Sequence, residues 1–175
     1  MIAVGKITYS KALVSILSVV LLGAIPLAFS ACSAEFSRED FFARALPRNE
    51  QLWNDLNGDG LPANRGVRWM YNYALLLAKS GDAKMRPRVA KLIELGADMQ
   101  DKDTASPTFG NFRWYWRNDK VTDLNAVEFV SHHMIPLWAD HRETLDAGTR
   151  KTLEQCLRRS VNACLKHKAP PSYTN

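Results

Sequence analysis

The segment from residue 109 to residue 129, FGNFRWYWRNDKVTDLNAVEF, has the chain's highest density of side chains suited to binding a ligand. Rings and guanidinium groups alternate along its centre. An extended backbone would place three rings on one side, and two arginines with a tyrosine on the other: Phe112, Trp114 and Trp116 against Arg113, Tyr115 and Arg117. Aromatic faces stack on sugar rings, and arginines hold planar carboxylates with two hydrogen bonds. The pattern therefore predicts binding of an acidic polysaccharide.

We assign substrate binding to five residues of this segment, namely Asn111, Arg113, Trp114, Trp116 and Arg117. The alternative is a loop whose tryptophans fill space between helices while its arginines pair with helix acids, because most aromatic side chains are core residues. The two interpretations can hold together, and the sequence does not separate them.

Catalysis on a uronic acid would need three groups: one to neutralise the carboxylate, a base for the C5 proton and an acid for the leaving oxygen. The first task suits Asn111, Arg113 or Asn125, and the other two suit Tyr115 and a histidine. We take Tyr115, Asn125 and His132 as the candidate catalytic set, with His133 as the alternative to His132. Whether the chain is an enzyme stays open.

A hydrolase would instead need two acids roughly 5 to 9.5 Å apart. The nearby acids are Asp119, Asp123 and Glu128, and Asp123 is also a natural helix cap. Glu128 and His132 stand four residues apart on one helix face, so they could bind a metal ion together with two more ligands. At this spacing an ordinary surface pair of side chains is more common.

A second short motif, DLNGDG at residues 55–60, matches the start of a calcium-binding loop. Its oxygen ligands would be Asp55, Asn57 and Asp59. The match breaks at loop position twelve, where Gly66 replaces the bidentate acid, so the alternative is an ordinary Asn/Asp/Gly turn. Ca²⁺ is the one cofactor to which the sequence points.

The N-terminus carries an export signal. Two lysines precede the apolar run ALVSILSVVLLGAIPLAF, and small residues follow it, so we predict a signal peptide at residues 1–31. The alternative is an uncleaved membrane anchor, since the run is long enough to span a bilayer. Cys32 ends a stretch, FSAC, that resembles a bacterial lipobox, although ordinary cleavage nearby stays open. We expect the protein in the periplasm or cell envelope, held at the membrane by a lipid or an anchor.

The overall charge argues against nucleic acid. The formal net charge is +5, and without Lys6 and Lys11 of the export segment it is 21 basic minus 18 acidic residues, or +3. No run of five like charges occurs, so the chain lacks the basic patch of a nucleic-acid-binding protein. An acidic ligand would therefore have to be bound by a few arginines that the fold brings together, and not by the overall charge of the chain.

Apolar periodicity predicts an all-α fold of successive antiparallel αα-hairpins. A short helix starts at the cap Ser37, with Asp40 in its first turn. The first hairpin has helices ending at Gly81 and Gly96. The second starts at Thr122 or Asp123, with Pro136 kinking or ending its first helix, and its second helix starts at Asp146. Expected inward positions are Leu124, Val127, Val130, Met134, Leu137 and Trp138 in one helix and Leu153, Cys156, Leu157, Val161, Cys164 and Leu165 in the other.

These elements divide the mature chain into three parts. Residues 32–64 form an N-terminal linker with the short helix and the Asp/Asn/Gly loop, residues 65–168 form the helical-hairpin domain, and residues 169–175 form a disordered tail. The long aromatic segment connects the two hairpins.

Hairpins joined by long loops behind an export signal, with GNFRWYWRNDKVTDLNAVEF leading into a helix, resemble bacterial exported α/α-toroid proteins, which include polysaccharide lyases and six-hairpin glycosidases. The resemblance covers residues 64–168 and implies a substrate cleft lined by loops, with residues 109–118 as an aromatic platform. The chain supplies two hairpins and part of another, fewer than a closed toroid needs, so it resembles a truncated or partial member that is incomplete as a lyase. The alternative is a non-catalytic helical interaction module of the cell envelope.

Overall fold

The computed structural model describes residues 37–57 and 65–167, and only the backbone at positions 51, 52 and 55–57. These ranges contain five α-helices: α1 (Arg38–Asn57), α2 (Val67–Ser80), α3 (Arg86–Asp98), α4 (Ala126–His141) and α5 (Ala147–Lys166). Two 3₁₀ turns, Ala83–Met85 and Arg142–Thr144, precede α3 and α5. Within the same ranges the extended backbone is limited to two isolated bridges. The prediction of an all-α chain is confirmed.

Local sequence signals fix several helix ends. At the start of α1 the Asp40 N–H donates to Ser37 Oγ (3.0 Å), and the Ser37 N–H donates to Asp40 Oδ2 (3.2 Å), which together form a capping box. Gly81 ends α2 with a left-handed φ of 77°. Asp146 caps α5 by accepting a hydrogen bond from the Thr149 N–H (2.9 Å). The first helix is longer than predicted, since it continues through Pro47 to Asn57.

Helices α2 to α5 share one core. Helix α2 packs against α3 and α4, and α5 packs against α4 and α3, so each of the four has two neighbours in this set. Helix α1 adds to the outside of α2, where the Trp69 indole donates to Asn49 Oδ1 (3.0 Å), and it also reaches α3, whose Arg88 pairs with Glu50 (2.5 Å). The largest fully buried side chains include Tyr71, Phe112 and Met134.

The predicted end of α3 at Gly96 is wrong. The helix continues to Asp98, and Gly96 lies buried inside it. A Cβ at Gly96 would lie only 2.5 Å from the Tyr71 ring, so glycine here lets α2 and α3 approach closely. The glycine serves helix packing and does not terminate the helix.

The predicted start of α4 is also displaced. The helix begins after Asn125, while Asp123 Oδ1 accepts the Asn125 N–H (2.9 Å) in the preceding turn. Leu124 therefore precedes the helix and is 42 % exposed, contrary to the expected inward position. The helix does not end at Pro136.

The buried face of α5 differs from the expected one. Leu153 and Cys156 are buried as predicted, but Val161 and Leu165 are 57 % and 72 % exposed. The face continues instead through Ser160 and Ala163, where Gly110 packs: its Cβ would lie 2.2 Å from the Arg159 carbonyl oxygen. The small residues of α5 therefore make room for the connection between α3 and α4.

That connection, residues 99–125, contains no helix and takes part in both isolated bridges. Gln100 pairs with Phe112, and Gly66 pairs with Tyr115. The first bridge joins two residues of the connection itself, just after the end of α3, and the second holds the connection at the start of α2. This second contact creates the most notable surface feature of the domain.

Candidate functional site

A groove of ≈ 460 Å³ lies where the first turns of α2 meet residues 114 and 115 of the connection. We call it the arginine–aromatic groove. Its volume falls in the range of about 300 to 1,000 Å³ that is usual for ligand sites. The residues that line it are Arg65, Gly66, Arg68, Trp69, Asn72, Trp114 and Tyr115.

Backbone hydrogen bonds fix the two sides of the groove together. The Val67 N–H donates to the Trp114 carbonyl, and the Trp116 N–H donates to the Arg65 carbonyl, each at 3.0 Å. A Cβ at Gly66 would stand 3.3 Å from the Trp114 oxygen, a tight contact that glycine avoids. The rings of residues 114 and 115 are therefore held against α2 by main-chain bonding.

The two tryptophans of the groove are fixed at their edges. The Trp114 indole donates to Asp123 Oδ2 (2.9 Å) and packs 5.8 Å from the Phe129 ring centre. Trp69 bonds to Asn49 and packs 5.4 Å from the Tyr73 ring. Tyr115 is the exposed ring, with 45 % of its surface accessible. The groove thus offers one accessible ring on a rigid support.

The electrostatics of the groove favour an anion. Among the residues that the structure describes, its lining has two arginines and no Asp or Glu. The Arg65 guanidinium lies 4.9 Å from the Trp69 ring centre, and the Arg68 guanidinium lies 5.5 Å from that of Phe129. A cation held over a ring keeps its charge while its position is restricted, which prepares it for an incoming carboxylate.

His133 of α4 experiences the same positive field. Burial lowers the pKa of its imidazole first, and the charges of Arg68 and His132 lower it further. Its Nε2 atom is buried and has no hydrogen-bond partner in the part of the chain that the structure describes. The histidine is therefore a neutral neighbour of Arg68 near neutral pH.

The structure separates the substrate-binding residues predicted from the alternating pattern. Trp114 lines the arginine–aromatic groove, whereas Arg113 lines a different cavity of ≈ 330 Å³ together with Asp98, Asp101 and Asp119. The Arg113 guanidinium donates to the carbonyls of Asn118 (2.7 Å) and Asp98 (3.1 Å). Arg113 therefore links the turn that contains Asn118 to the end of α3.

Trp116 and Arg117 also take separate places. Trp116 is half-buried against the core, with the Arg113 guanidinium 5.7 Å from its ring centre. Arg117 is exposed, and its guanidinium lies 5.7 Å from the centre of the Tyr115 ring. Arg117 thus adds a third positive charge beside the groove.

Asn111 is fully buried and serves the fold. Its Oδ1 accepts the N–H groups of Phe112 (2.8 Å) and Val127 (3.0 Å), and its Nδ2 donates to the Leu124 carbonyl (2.6 Å). This amide ties the connection to the first turn of α4. It lies away from the surface on which a polysaccharide would bind.

The candidate catalytic residues occupy three different positions. Tyr115 lines the groove, Asn125 donates to Asp123 Oδ1 (3.1 Å) before α4, and His132 is exposed on α4. Among the described residues no hydrogen bond joins any two of the three. Asp123, an acid considered for hydrolysis, is occupied by the Trp114 indole and by the backbone of its own turn.

The calcium motif and the lipidation site lie largely outside the described residues. The backbone of Asp55 and Asn57 belongs to the last turn of α1, whereas their side chains, Asp59 and Cys32 fall outside. Across residues 37–57 and 65–167 no three His, Cys, Asp or Glu side chains come together as a metal site. Cys156 and Cys164 are free thiols.

Sequence reasoning missed four groove residues, Arg65, Arg68, Trp69 and Asn72. A signal existed for three of them, because Asn72 follows Arg68 by four residues and Trp69 by three, and these spacings place it beside both on α2. The neighbouring positions Val67, Met70 and Tyr71 are fully buried. Apolar residues stand between and after these three groove positions in the sequence of α2, so the polar side is not obvious from the sequence alone.

No protein-family model, curated protein or solved structure matches the chain. The resemblance to α/α-toroid proteins therefore stays a prediction. None of the helices within residues 37–57 and 65–167 has both the length and the apolar character required to cross a membrane.

Proposed function

We propose that the chain is an exported helical protein that binds an acidic oligo- or polysaccharide in the arginine–aromatic groove. One observation carries the proposal: Arg65 and Arg68 stand beside the exposed ring of Tyr115, in a groove where no carboxylate is found among the described lining residues. A sugar that carries a carboxylate presents the two complementary features, an apolar ring face and a planar anion, in one residue.

The groove residues divide the recognition of such a sugar between them. Arg68 is exposed at the groove and holds the carboxylate with two parallel hydrogen bonds. Tyr115 stacks on the face of the sugar ring, as aromatic side chains do with apolar surfaces. Asn72, exposed one turn further along α2, donates to or accepts from a hydroxyl.

We propose binding without turnover. A lyase needs a base and an acid at the same sugar residue. Of the candidate set only Tyr115 lines the groove, while Asn125 is bonded to Asp123 and His132 lies on the exposed side of α4. In our proposal the chain shares with polysaccharide lyases the class of ligand that it binds, but it does not share their reaction.

The arrangement of helices supports the proposal of stacked hairpins. The first helices of the two pairs, α2 and α4, contact each other, and so do the second helices, α3 and α5. In hairpins stacked side by side each unit buries its face against the next in this way, as in toroids and solenoids. We propose that the domain is a partial α/α-toroid-like array, located in the periplasm or cell envelope through its N-terminal lipid or anchor.

A non-catalytic interaction module of the cell envelope is the alternative. It is favoured by three exposed apolar side chains on the α4–α5 pair, Ile135, Val161 and Leu165. Such a module would bind a protein through exposed apolar side chains of this kind and would need no anion in the groove.

Titration calorimetry separates the two. The full chain is titrated with alginate, pectate and glycosaminoglycan oligomers and, as a matched control, with the same oligomers after reduction of their carboxylates to alcohols. Our proposal predicts binding of at least one acidic series and loss of that binding on reduction, with an affinity that falls as salt rises. Absence of binding by every acidic oligomer, or equal binding of the reduced ones, would contradict the proposal.

A further inference from the structure

Arg68 links the arginine–aromatic groove to helix α4. It lines the groove, and its guanidinium lies 5.5 Å from the centre of the Phe129 ring, near the start of α4. The Phe129 ring also packs 5.8 Å from that of Trp114, another groove residue. His133 follows Phe129 by four residues, so the two side chains are neighbours on one side of the helix. This side of α4 therefore supports the groove and carries a titratable group.

The surroundings of His133 disfavour a second proton on its ring. The side chain is half-buried, and its Nε2 atom is buried without a hydrogen-bond partner among the described residues. Burial lowers the pKa of the imidazole, and the charges of Arg68 from α2 and His132 from α4 lower it further. The connection and α5 also pack against α4, but in the described part of the chain they add no charged group to this set. Within the same residues, no carboxylate offsets a positive charge at His133.

A carboxylate bound to Arg68 would change this balance. It places a negative charge beside the guanidinium and so reduces the positive potential at His133. Protonation of the imidazole is then easier in the complex than in the free protein. Binding and protonation are linked, so a proton that is held more tightly in the complex also strengthens binding of the ligand.

We propose that His133 takes up a proton when an acidic sugar binds to Arg68, so that the arginine–aromatic groove binds this ligand more tightly at mildly acidic pH. This inference rests on the proposed function and adds the regulation of the same groove. Above neutral pH the imidazole is neutral with and without ligand, and the affinity does not depend on it. As the pH falls, the complex takes up the proton before the free protein does, and the affinity rises. The sugar carboxylate stays ionised throughout, since carboxyl groups titrate at about pH 4.

Titration of the histidine rings by NMR tests the proposal. The ring C–H signals of the four histidines are followed between about pH 5 and about pH 8 in the full chain, with and without each of the alginate, pectate and glycosaminoglycan oligomers. Backbone correlations assign each signal, so the measurement depends on no variant. His141 is the matched control, because burial also lowers its pKa but it lies eight residues, or about 12 Å, beyond His133 on α4.

We expect an oligomer that binds to raise the pKa of His133 and to leave that of His141 unchanged. In calorimetry its affinity should rise about threefold from about pH 7.5 to about pH 5.5. His133→Gln should remove most of this rise, whereas His141→Gln should retain it. Binding that leaves the titration of His133 unchanged would overturn this inference but not the proposed function. Absence of binding by every oligomer at both pH values would overturn the two together.

Discussion

Residues 110–113 and residues 114–117 are consecutive halves of one connection, and their structural roles differ. In the first half Gly110, Asn111 and Phe112 are buried, and the polar groups bond to the connection itself and to neighbouring helices. In the second half Tyr115 and Arg117 are exposed, and the backbone pairs with residues 65–67 at the start of α2. The backbone partner, more than the kind of side chain, decides which half is buried in the fold and which lies at the surface, where we propose that a ligand binds.

The largest effect is expected from Gly110→Ala, in the buried half. Gly110 has a φ of +85°, and a Cβ there would lie 2.2 Å from the Arg159 carbonyl oxygen. The strained backbone and the clash should together lower the free energy of unfolding by at least about 3 kcal/mol. Chemical denaturation measures it.

Gly81→Ala is the matched control, because Gly81 also has a positive φ (+77°) but has no atom within 4 Å of the added Cβ. It should cost only about 1 to 2 kcal/mol, the price of the backbone conformation alone. An equal loss in the two variants would show that Gly110 is not packed against α5 as described.

Asn111→Ala should come next. It removes three hydrogen bonds from a buried amide and leaves the Val127 N–H at the start of α4 without its partner. We expect a loss of about 2 to 3 kcal/mol in unfolding free energy. Asn72→Ala, at an exposed position in the groove, should change stability by less than about 0.5 kcal/mol. Similar stabilities of the two variants would remove the distinction between the halves.

Substitution of two arginines, Arg68 in the groove and Arg113 in the buried half, separates ligand binding from stability. Arg68→Gln should weaken binding of an acidic oligomer about tenfold, since a charged hydrogen bond is worth about 1.5 to 3 kcal/mol, with little effect on stability. Arg113→Gln should instead lower the free energy of unfolding and leave the affinity for the oligomer nearly unchanged, because the Arg113 guanidinium bonds to two backbone carbonyls. Calorimetry gives the affinity of each variant, and denaturation gives its stability. A loss of binding confined to Arg113→Gln would show that the ligand binds in the cavity lined by Arg113 and not in the arginine–aromatic groove.

The smallest effect concerns His133. Its pKa is lowered in the folded chain, so below the ordinary value of 6.5 the unfolded chain binds more protons than the folded one. Stability from this group is therefore full above pH 6.5 and declines as the pH falls through its folded pKa. His133→Gln should flatten this part of the profile between about pH 7.5 and pH 5.5, measured by thermal unfolding. An unchanged slope would show that His133 is solvated.

Much of the helical frame could be predicted because its signals are local. The Ser37 and Asp40 capping box, the glycine end of α2 and the Asp146 cap each depend on residues within one turn. Gly96 was misinterpreted because a glycine that ends a helix and one that admits a neighbouring ring look alike in sequence. Only the position of Tyr71 on α2 distinguishes them.

The candidate site could be predicted only in part. The alternating pattern included Trp114, which lines the groove, but it assumed an extended backbone throughout. The chain turns after Tyr115, where the Asn118 N–H donates to the Tyr115 carbonyl (3.0 Å), so the alternation does not continue into Trp116 and Arg117. The arginines that line the groove lie more than forty residues earlier in the chain, and no local pattern links them to Trp114.

The most direct test follows the indole N–H signals of the five tryptophans by NMR during titration with an acidic oligosaccharide. Ligand in the arginine–aromatic groove should shift the signals of Trp69 and Trp114, which line it, and leave that of Trp138 on α4 unchanged. A titration in which the Trp116 signal moves while those of Trp69 and Trp114 stay fixed, or in which none of the five moves, would contradict the proposed groove.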